Sequence, residues 1–207
     1  MRAAALLTLL AAAAGRPPSG EAAALAAKVQ AAYERTRDLE ARFAQTYTYA
    51  GFGRRQVSSG RLLVKKPGMM RWDYEKPSPK TVAVRGSRLV QFEPEANQAY
   101  VDDRFDATAM SAAVAFLLGK GDLAKEFSLS IEPSGALLLR PKAPDPRVES
   151  ISLVADEDGQ VTATRVVDGS GNVNEIKFSA VKRNAGLPDS AFDVKLPKDV
   201  HRLSAPK

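Results

Sequence analysis

Few residues of this chain have the types and spacings that enzymes use for catalysis. Catalysis requires a nucleophile with a base, paired carboxylates or a metal ion, yet the 207 residues contain one histidine, His201, and no cysteine. The HExxH, GxSxG and P-loop motifs are absent, and "GFGRRQ" fails as GxGxxG because Gln56 replaces the third glycine. The acidic run 156–159 falls at a predicted hairpin turn, where exposed carboxylates are ordinary. We therefore expect neither an enzyme nor a metal or cofactor site.

The residues best suited to binding an apolar ligand are concentrated in the segment 61–92. This segment holds the only tryptophan, Trp72, together with Tyr74 and the adjacent methionines Met69 and Met70. Methionine is unbranched and flexible, which suits a surface that must adapt to ligands of varied shape. The residues alone leave two interpretations open: one wall of an ordinary core, or the lining of a cavity for an apolar ligand.

Two adjacent segments with a period of two place these residues on strands. In "GRLLVKKP" the side chains of Leu62 and Val64 share one face, and in "MRWDYEKP" Met70, Trp72 and Tyr74 share one face. A Pro-Gly pair supplies the turn between the two segments. We expect Leu62 and Val64 to point toward the interior.

Most of the remaining chain is typical of short strands separated by turns. The first strand is predicted in "ARFAQTYTYAG", which contains Phe43. Further strands are predicted over Thr81–Arg85, Arg88–Phe92, Ala99–Val101, Phe127–Ile131, Ala136–Arg140, Glu149–Ala155, Val161–Asp168 and Val173–Phe178. The fold class is therefore mainly β (α+β), with about eleven strands. Such an antiparallel sheet can curl into a half-open barrel whose interior its own side chains do not fill.

Two helical segments are expected to close the open side of this barrel. Residues 21–39 carry apolar side chains, among them Leu25 and Val29, at spacings of three and four along one helical face. The second segment, "ATAMSAAVAFLLGKGDLAKEF", combines an apolar helical face, a glycine-containing break and Asp122, which is placed to cap a further short helix. Its apolar face comprises Met110, Val114, Leu117 and Leu118.

The N-terminal sequence and the net charge limit the possible location and partners of the protein. Residues 1–20 combine a positive Arg2, an apolar run too short to span a membrane and small residues, which is typical of a cleaved secretory signal peptide. We expect residues 21–207 to form a single soluble, exported domain. The net charge of +6 arises from 30 basic and 24 acidic residues that are interspersed, so no nucleic-acid partner is expected.

Three motifs follow one another along the chain: "GRLLVKKPGMMRWDYEKP", "FEP" at 92–94 and the closing "FDVKLPKDV" at 192–200. Together with a helix leading into "FAQ" and an apolar helical insert, they resemble the LolA family of periplasmic outer-membrane lipoprotein carriers over roughly residues 22–203. The resemblance implies a half-open antiparallel barrel with a helical lid over a hydrophobic cavity.

The resemblance also implies a function and partners. A carrier of this family is a periplasmic chaperone that accepts acylated lipoproteins released by an inner-membrane ABC transporter and delivers them to an outer-membrane receptor. That receptor is itself a lipoprotein, and the absence of cysteine argues against this chain having the receptor's role. We expect a monomer.

Roles for individual residues follow from the same resemblance. The implied cavity residues are Phe43, Leu62, Val64, Met70, Trp72, Tyr74 and Phe92. The implied lid residues are Leu25, Val29, Met110, Val114, Leu117 and Leu118. The family's latch is an arginine just before a proline, and Lys66 occupies that position here. Arginine has a planar guanidinium with several hydrogen-bond donors in fixed positions, whereas lysine has a single mobile ammonium group. The lid is therefore expected to open more easily.

Two other functions fit the same sequence. One is a LolA-like paralogue that carries another lipid or glycolipid between membranes, and it would be recognised by the lipid that co-purifies. The other is a structural or adaptor domain of the cell envelope, which would have a filled interior and would take up no lipid.

Overall fold

The computed structural model of the chain describes residues 20–106 and 122–204. Helix α1 (Gly20–Glu34) precedes the first strand, and a short helix α2 (Leu123–Glu126) precedes the seventh. Short 3-10 helices cover Pro94–Ala96 and Asp189–Phe192. The strands are β1 Asp38–Thr48, β2 Arg55–Lys65, β3 Met69–Lys76, β4 Lys80–Arg85, β5 Arg88–Glu93, β6 Gln98–Asp102, β7 Phe127–Ile131, β8 Leu137–Pro141, β9 Ser150–Ala155, β10 Val161–Val167, β11 Val173–Arg183 and β12 His201–Ser204.

These strands form one 12-stranded sheet in the order β12-β6-β5-β4-β3-β2-β1-β11-β10-β9-β8-β7. Neighbouring strands are antiparallel except for β12, which pairs with β6 in parallel. In the described part of the chain the edge strands β12 and β7 do not pair with each other, so the sheet stays open. The prediction of a mainly β, half-open antiparallel fold is confirmed.

Two details of the fold differ from the sequence-based expectation. The helix predicted over 21–39 ends at Glu34, because Leu39 already pairs with both β2 and β11. The twelfth strand, β12, is not predicted, since four residues pairing in parallel at an edge carry too short an alternation to recognise.

The cap of α2 is as predicted: the Asp122 carboxylate accepts hydrogen bonds from the backbone N–H groups of Ala124 and Lys125 at 2.9 and 3.2 Å. Residues 1–19, which include most of the predicted signal peptide, lie outside the described residues.

Helix α1 packs on the concave face of the sheet, at its β7–β9 end. Its buried residues Ala22, Ala26 and Val29 recur at intervals of four and three, which places them on one helical face. They share a buried cluster with apolar side chains of β7, β8 and β9. The turn before β10 also approaches the helix closely, because Gly159 lies against the backbone of Lys28. Helix α1 therefore fills the β7–β9 end of the concave face.

The segment that follows β11 covers the opposite, convex face. Leu63 of β2 is buried there against Leu187 and Phe192. Lys65 fixes the same segment, since its Nζ donates to the Leu187 carbonyl and to the Asp189 carboxylate, both at 2.6 Å. The chain then reaches the far edge of the sheet and forms β12. The convex face of the β2 region is thereby sealed by the protein's own chain.

Gly60 marks the point where the neighbouring strand and the ring of Phe43 come closest to β2. A Cβ at Gly60 would overlap the Asp73 carbonyl oxygen and lie 2.9 Å from Phe43 Cε1. We predict that Gly60→Ala lowers the free energy of unfolding by about 1–3 kcal/mol or more, because β3 or the ring must shift. Urea denaturation measures this loss.

Gly51→Ala is the matched control, because a Cβ at Gly51 meets nothing within 4 Å. Its cost should stay below about 0.5 kcal/mol. If the two alanine variants were equally stable, the close approach at Gly60 would not constrain the sheet.

Candidate functional site

A cavity of about 610 Å³ lies on the concave side of the sheet, between α1 and two walls. One wall is built from β1, β2 and β3, and the other from β9, β10 and β11, so the sheet must curve around the space. Val29 and Tyr33 of α1 line the cavity as well. The volume falls within the range of about 300–1,000 Å³ that is typical of small-molecule sites. The lining is mainly apolar, which suits a hydrocarbon ligand.

The first wall contains five of the seven predicted cavity residues. Leu62 and Val64 of β2 line the cavity, and their register partners on β3 are Trp72 and Met70. Tyr74 lies one step further along the same face of β3. The structure thus places the side chains of both strands on the side that the alternation in the sequence predicts.

Phe43 supports this wall without lining the cavity. It is only 3% exposed, and its ring makes edge-to-face contacts with Trp72 and Tyr74 at centroid distances of 4.8 and 5.1 Å. Such contacts add to the stabilisation that burial provides. Phe43 therefore fixes the orientation of the two aromatic rings that face the cavity.

The assignment of Phe92 to the cavity has to be corrected, because this residue lies on the convex side of the sheet. Its register partner on β4 is Thr81, which pairs with Asp73 on β3, whereas the concave residue Trp72 pairs with Val82. The side chains of Thr81 and Asp73 are joined by a hydrogen bond of 2.7 Å on the convex side. Alternation within β5 does not identify the inward side, because both faces of this strand carry apolar residues.

The second wall was not predicted as part of the site. Ile176 and Phe178 of β11 line the cavity, together with Val166 of β10 and with Ile151 and Leu153 of β9. The alternation in "NEIKFS" could have indicated Ile176 and Phe178, because these two residues share one face of the predicted strand. Their position opposite Trp72 depends on the curvature of the whole sheet.

Polar side chains gather at one end of the cavity. Gln45 Nε2 donates to Asn174 Oδ1 at 2.9 Å, and Asn172 Nδ2 donates to Asp168 Oδ2 at 2.9 Å. Burial raises the pKa of Tyr74, and a hydrogen bond with Gln45 acts in the opposite direction. These side chains are amides, hydroxyls and one carboxylate, and no nucleophile with an adjacent base lies among them. Among residues 20–106 and 122–204, no group of three His, Cys, Asp or Glu residues could hold a metal ion.

Lys66 lies at the opposite end and contacts α1. Its Nζ donates to the Tyr33 carbonyl oxygen at 2.5 Å and lies 3.9 Å from the centroid of the Tyr33 ring. Burial lowers the pKa of Lys66, while the negative charge of Glu34 raises it. The end of β2 is thereby joined to the last turn of α1. This is the position that the resemblance assigns to the latch.

The predicted lid residues fall into two groups. Val29 is buried and lines the cavity, and Leu25 packs against the cluster formed with β7–β9. Met110, Val114, Leu117 and Leu118 lie outside the described residues. Among the described helices, none is long and apolar enough to cross a membrane.

Comparison with known proteins places this chain among lipoprotein carriers. A family model described as "Outer membrane lipoprotein carrier protein LolA" matches residues 34–195. The outer-membrane lipoprotein carrier protein of Dechloromonas aromatica (strain RCB) is 33% identical over 161 residues, 76% of each chain. The protein of the same name from Pseudomonas putida (strain GB-1) is 29% identical over 174 residues, 80% of this chain and 81% of the relative.

A solved structure shares the fold at low sequence identity. It is that of an uncharacterized conserved protein from Thermus thermophilus, with a TM-score of 0.54 and 13% identity, covering 89% of this chain and 99% of that one. The similarity supports the open-sheet architecture and carries no information on ligands.

The contact between Lys66 and Tyr33 leads to a prediction about α1. We expect Lys66→Met to increase hydrogen exchange at the amides of residues 29–34 about two- to tenfold, because the variant loses one hydrogen bond to the last turn. Hydrogen–deuterium exchange followed by mass spectrometry measures this change.

Lys65→Met is the matched control, since the Lys65 ammonium bonds to the segment on the convex face. It should leave exchange in α1 unchanged. Equal protection of α1 in the wild type and both variants would mean that Lys66 does not hold the helix.

Proposed function

Because the chain belongs to the LolA family of outer-membrane lipoprotein carriers, we propose that it binds the acyl chains of lipoproteins released from the inner membrane and delivers them to the outer membrane. The observation that carries the proposal is the apolar cavity of about 610 Å³ between α1 and the two walls of the sheet. A filled interior, as expected of a purely structural domain, would offer no such space.

The energetics of acyl-chain burial support this assignment. Moving one sixteen-carbon chain out of water is worth on the order of 12 kcal/mol at about 0.8 kcal/mol per methylene. Even partial burial is therefore strong enough to hold a lipoprotein in the aqueous space between two membranes. Complete burial of two or three chains would make release too slow. A cavity that stays partly open reconciles tight binding with delivery.

The proposal includes a location and partners. The chain acts in the periplasm as a soluble monomer after residues 1–20 are removed, and its cargo is an acylated lipoprotein. An ATP-driven transporter of the inner membrane supplies the cargo, and a receptor at the outer membrane accepts it. The relatives' name, outer-membrane lipoprotein carrier protein, favours lipoproteins over another lipid or a glycolipid as the cargo.

We also propose that the protein acts by binding, without catalysing a reaction. His201, the only histidine, lies in the edge strand β12, where its backbone N–H donates to the Asn97 carbonyl at 2.9 Å. It is not among the residues that line the cavity. A carrier function requires no covalent step, so the apolar walls are sufficient for it.

Binding of a synthetic diacylated lipopeptide tests the proposal. We expect the wild-type chain to bind it in native mass spectrometry. Met70→Glu should bind at least about tenfold more weakly, because an ionised carboxylate would then face Leu62, Val64 and Trp72 in the cavity. Circular dichroism establishes whether the variant is folded.

Val154→Glu is the matched control, because Val154 is 47% exposed and adjacent to the inward-facing Leu153 on β9. It should bind like the wild type. No uptake by the wild type, or equal uptake by a folded Met70→Glu, would contradict the proposal. Extraction of the lipid that co-purifies from the protein's own cells tests the cargo: a glycolipid would contradict the lipoprotein assignment.

A further inference from the structure

The concave residues of β1 change from apolar to polar along the strand. Leu39, Ala41, Phe43, Gln45 and Tyr47 share one side of β1, since alternate residues of a strand point the same way. All of them except Phe43 line the cavity. Residues two apart on a strand are separated by roughly 6.8 Å, so the cavity has an apolar end at Leu39 and a polar end at Tyr47, roughly 27 Å apart.

At the apolar end, most polar side-chain groups bond to the protein itself, and Asp38 Oδ1, a buried atom without a partner among the described residues, is an oxygen. Lys66 Nζ donates to the Tyr33 carbonyl, and Thr36 Oγ1 donates to the Ala32 carbonyl at 2.8 Å. The Asp38 carboxylate accepts from the Gly186 backbone N–H at 3.2 Å. Val29 of α1, Leu39 and Val64 line this end as well. An unpaired oxygen atom offers no donor to the carbonyl oxygens of a ligand, so this end favours hydrocarbon over the carbonyl groups.

At the polar end, donors of Asn174 and Tyr47 have no acceptor in the part of the chain that the structure describes. Asn174 Oδ1 is occupied by Gln45 Nε2, whereas Asn174 Nδ2 and the Tyr47 hydroxyl donate to no group within residues 20–106 and 122–204. The Tyr47 ring is held against the Tyr49 ring at a centroid distance of 4.7 Å. A donor that loses water without gaining an acceptor is destabilised. A ligand that fills the cavity must therefore present acceptors at this end.

We infer that Tyr47 and Asn174 bind the ester and amide carbonyl oxygens that join the acyl chains to the head of the cargo. The chains then run along β1 toward Leu39 and α1. This inference rests on the proposed function and adds to it an orientation of the ligand and a subsite for its head. The distance of roughly 27 Å exceeds the roughly 15 Å that acyl chains span in one half of a 30 Å bilayer core, so whole chains fit in this direction.

The single tryptophan provides a direct test of the orientation. Trp72 pairs with Leu62, whose partner on β1 is Ala41. Along β1, Ala41 is two residues from Leu39 and six residues from Tyr47, so Trp72 lies nearer the apolar end of the cavity. Diacylated lipopeptides with bromine near the methyl ends or near the carbonyls of the chains are compared as quenchers of Trp72 fluorescence. We expect methyl-end bromine to quench several-fold more strongly. Stronger quenching by carbonyl-end bromine, or equal quenching by both, would overturn the inference.

The subsite itself is tested with an ether-linked analogue that lacks the ester carbonyls. We expect the wild type to bind the ester form more tightly than the ether form, by about two- to tenfold for each hydrogen bond. Tyr47→Phe combined with Asn174→Leu should abolish this preference while binding of the ether form is retained. Tyr49→Phe, which alters the neighbouring ring, should keep it.

The outcomes separate this inference from the proposed function. If none of the lipids binds, the carrier function fails, and the inference fails with it. If the brominated lipids bind but quench equally, or if the double variant keeps the preference for the ester, only the orientation and the subsite are refuted. A preference for the ester that is lost in the double variant and kept in Tyr49→Phe supports the inference.

Discussion

The uneven covering of one sheet is the constraint on which the rest of the structure depends. A sheet of twelve strands with neighbours about 4.8 Å apart is roughly 53 Å wide, whereas α1 has 15 residues and a length of roughly 22 Å. The helix packs on β7–β9, so it cannot also cover the concave side of β1–β3. On the convex side, the segment after β11 covers the region around β2 and β3. The part of the concave surface that α1 does not cover curves around a space, and this space is the cavity.

The wall opposite α1 combines a fixed part with an adaptable part. Phe43 is locked beneath Trp72 and Tyr74 by edge-to-face contacts, and it can occupy that position only because Gly60 on the neighbouring strand has no side chain. Met70 lies at the other end of the wall, and its flexible thioether can follow the shape of a ligand. The aromatic contacts give this part of the wall a fixed shape, and we propose that Met70 adapts to chains of different shape.

The sequence predicts this wall well because its signal is local. Alternation in β2 and β3 groups Leu62 with Val64 and Trp72 with its neighbours on one face. Spacing alone does not say which face of β2 points inward, because Leu63 on the other face is apolar and buried as well. Phe92 is assigned to the wrong face because β5 carries apolar residues on both faces, Leu89 on one and Val90 with Phe92 on the other, so its alternation does not identify the inward side. The second wall was missed because the alternation of Ile176 and Phe178 gives only their shared face, while their position opposite Trp72 depends on the curvature of the whole sheet. The hydrogen-bond acceptor of Lys66 is a backbone carbonyl, which no side-chain pattern reveals.

The free energies of a hydrogen bond and of acyl-chain burial also limit what a latch at Lys66 can do. A hydrogen bond from a charged group contributes roughly 1.5–3 kcal/mol, and the part-exposed Lys66 belongs at the low end of that range. Burial of one acyl chain is worth on the order of 12 kcal/mol. Retention of cargo must therefore come from apolar contact with the walls, and Lys66 can influence only where the end of α1 rests. We therefore propose that lysine, at the position where the resemblance implies a latch arginine, affects the ease of opening and has little effect on the affinity for the chains.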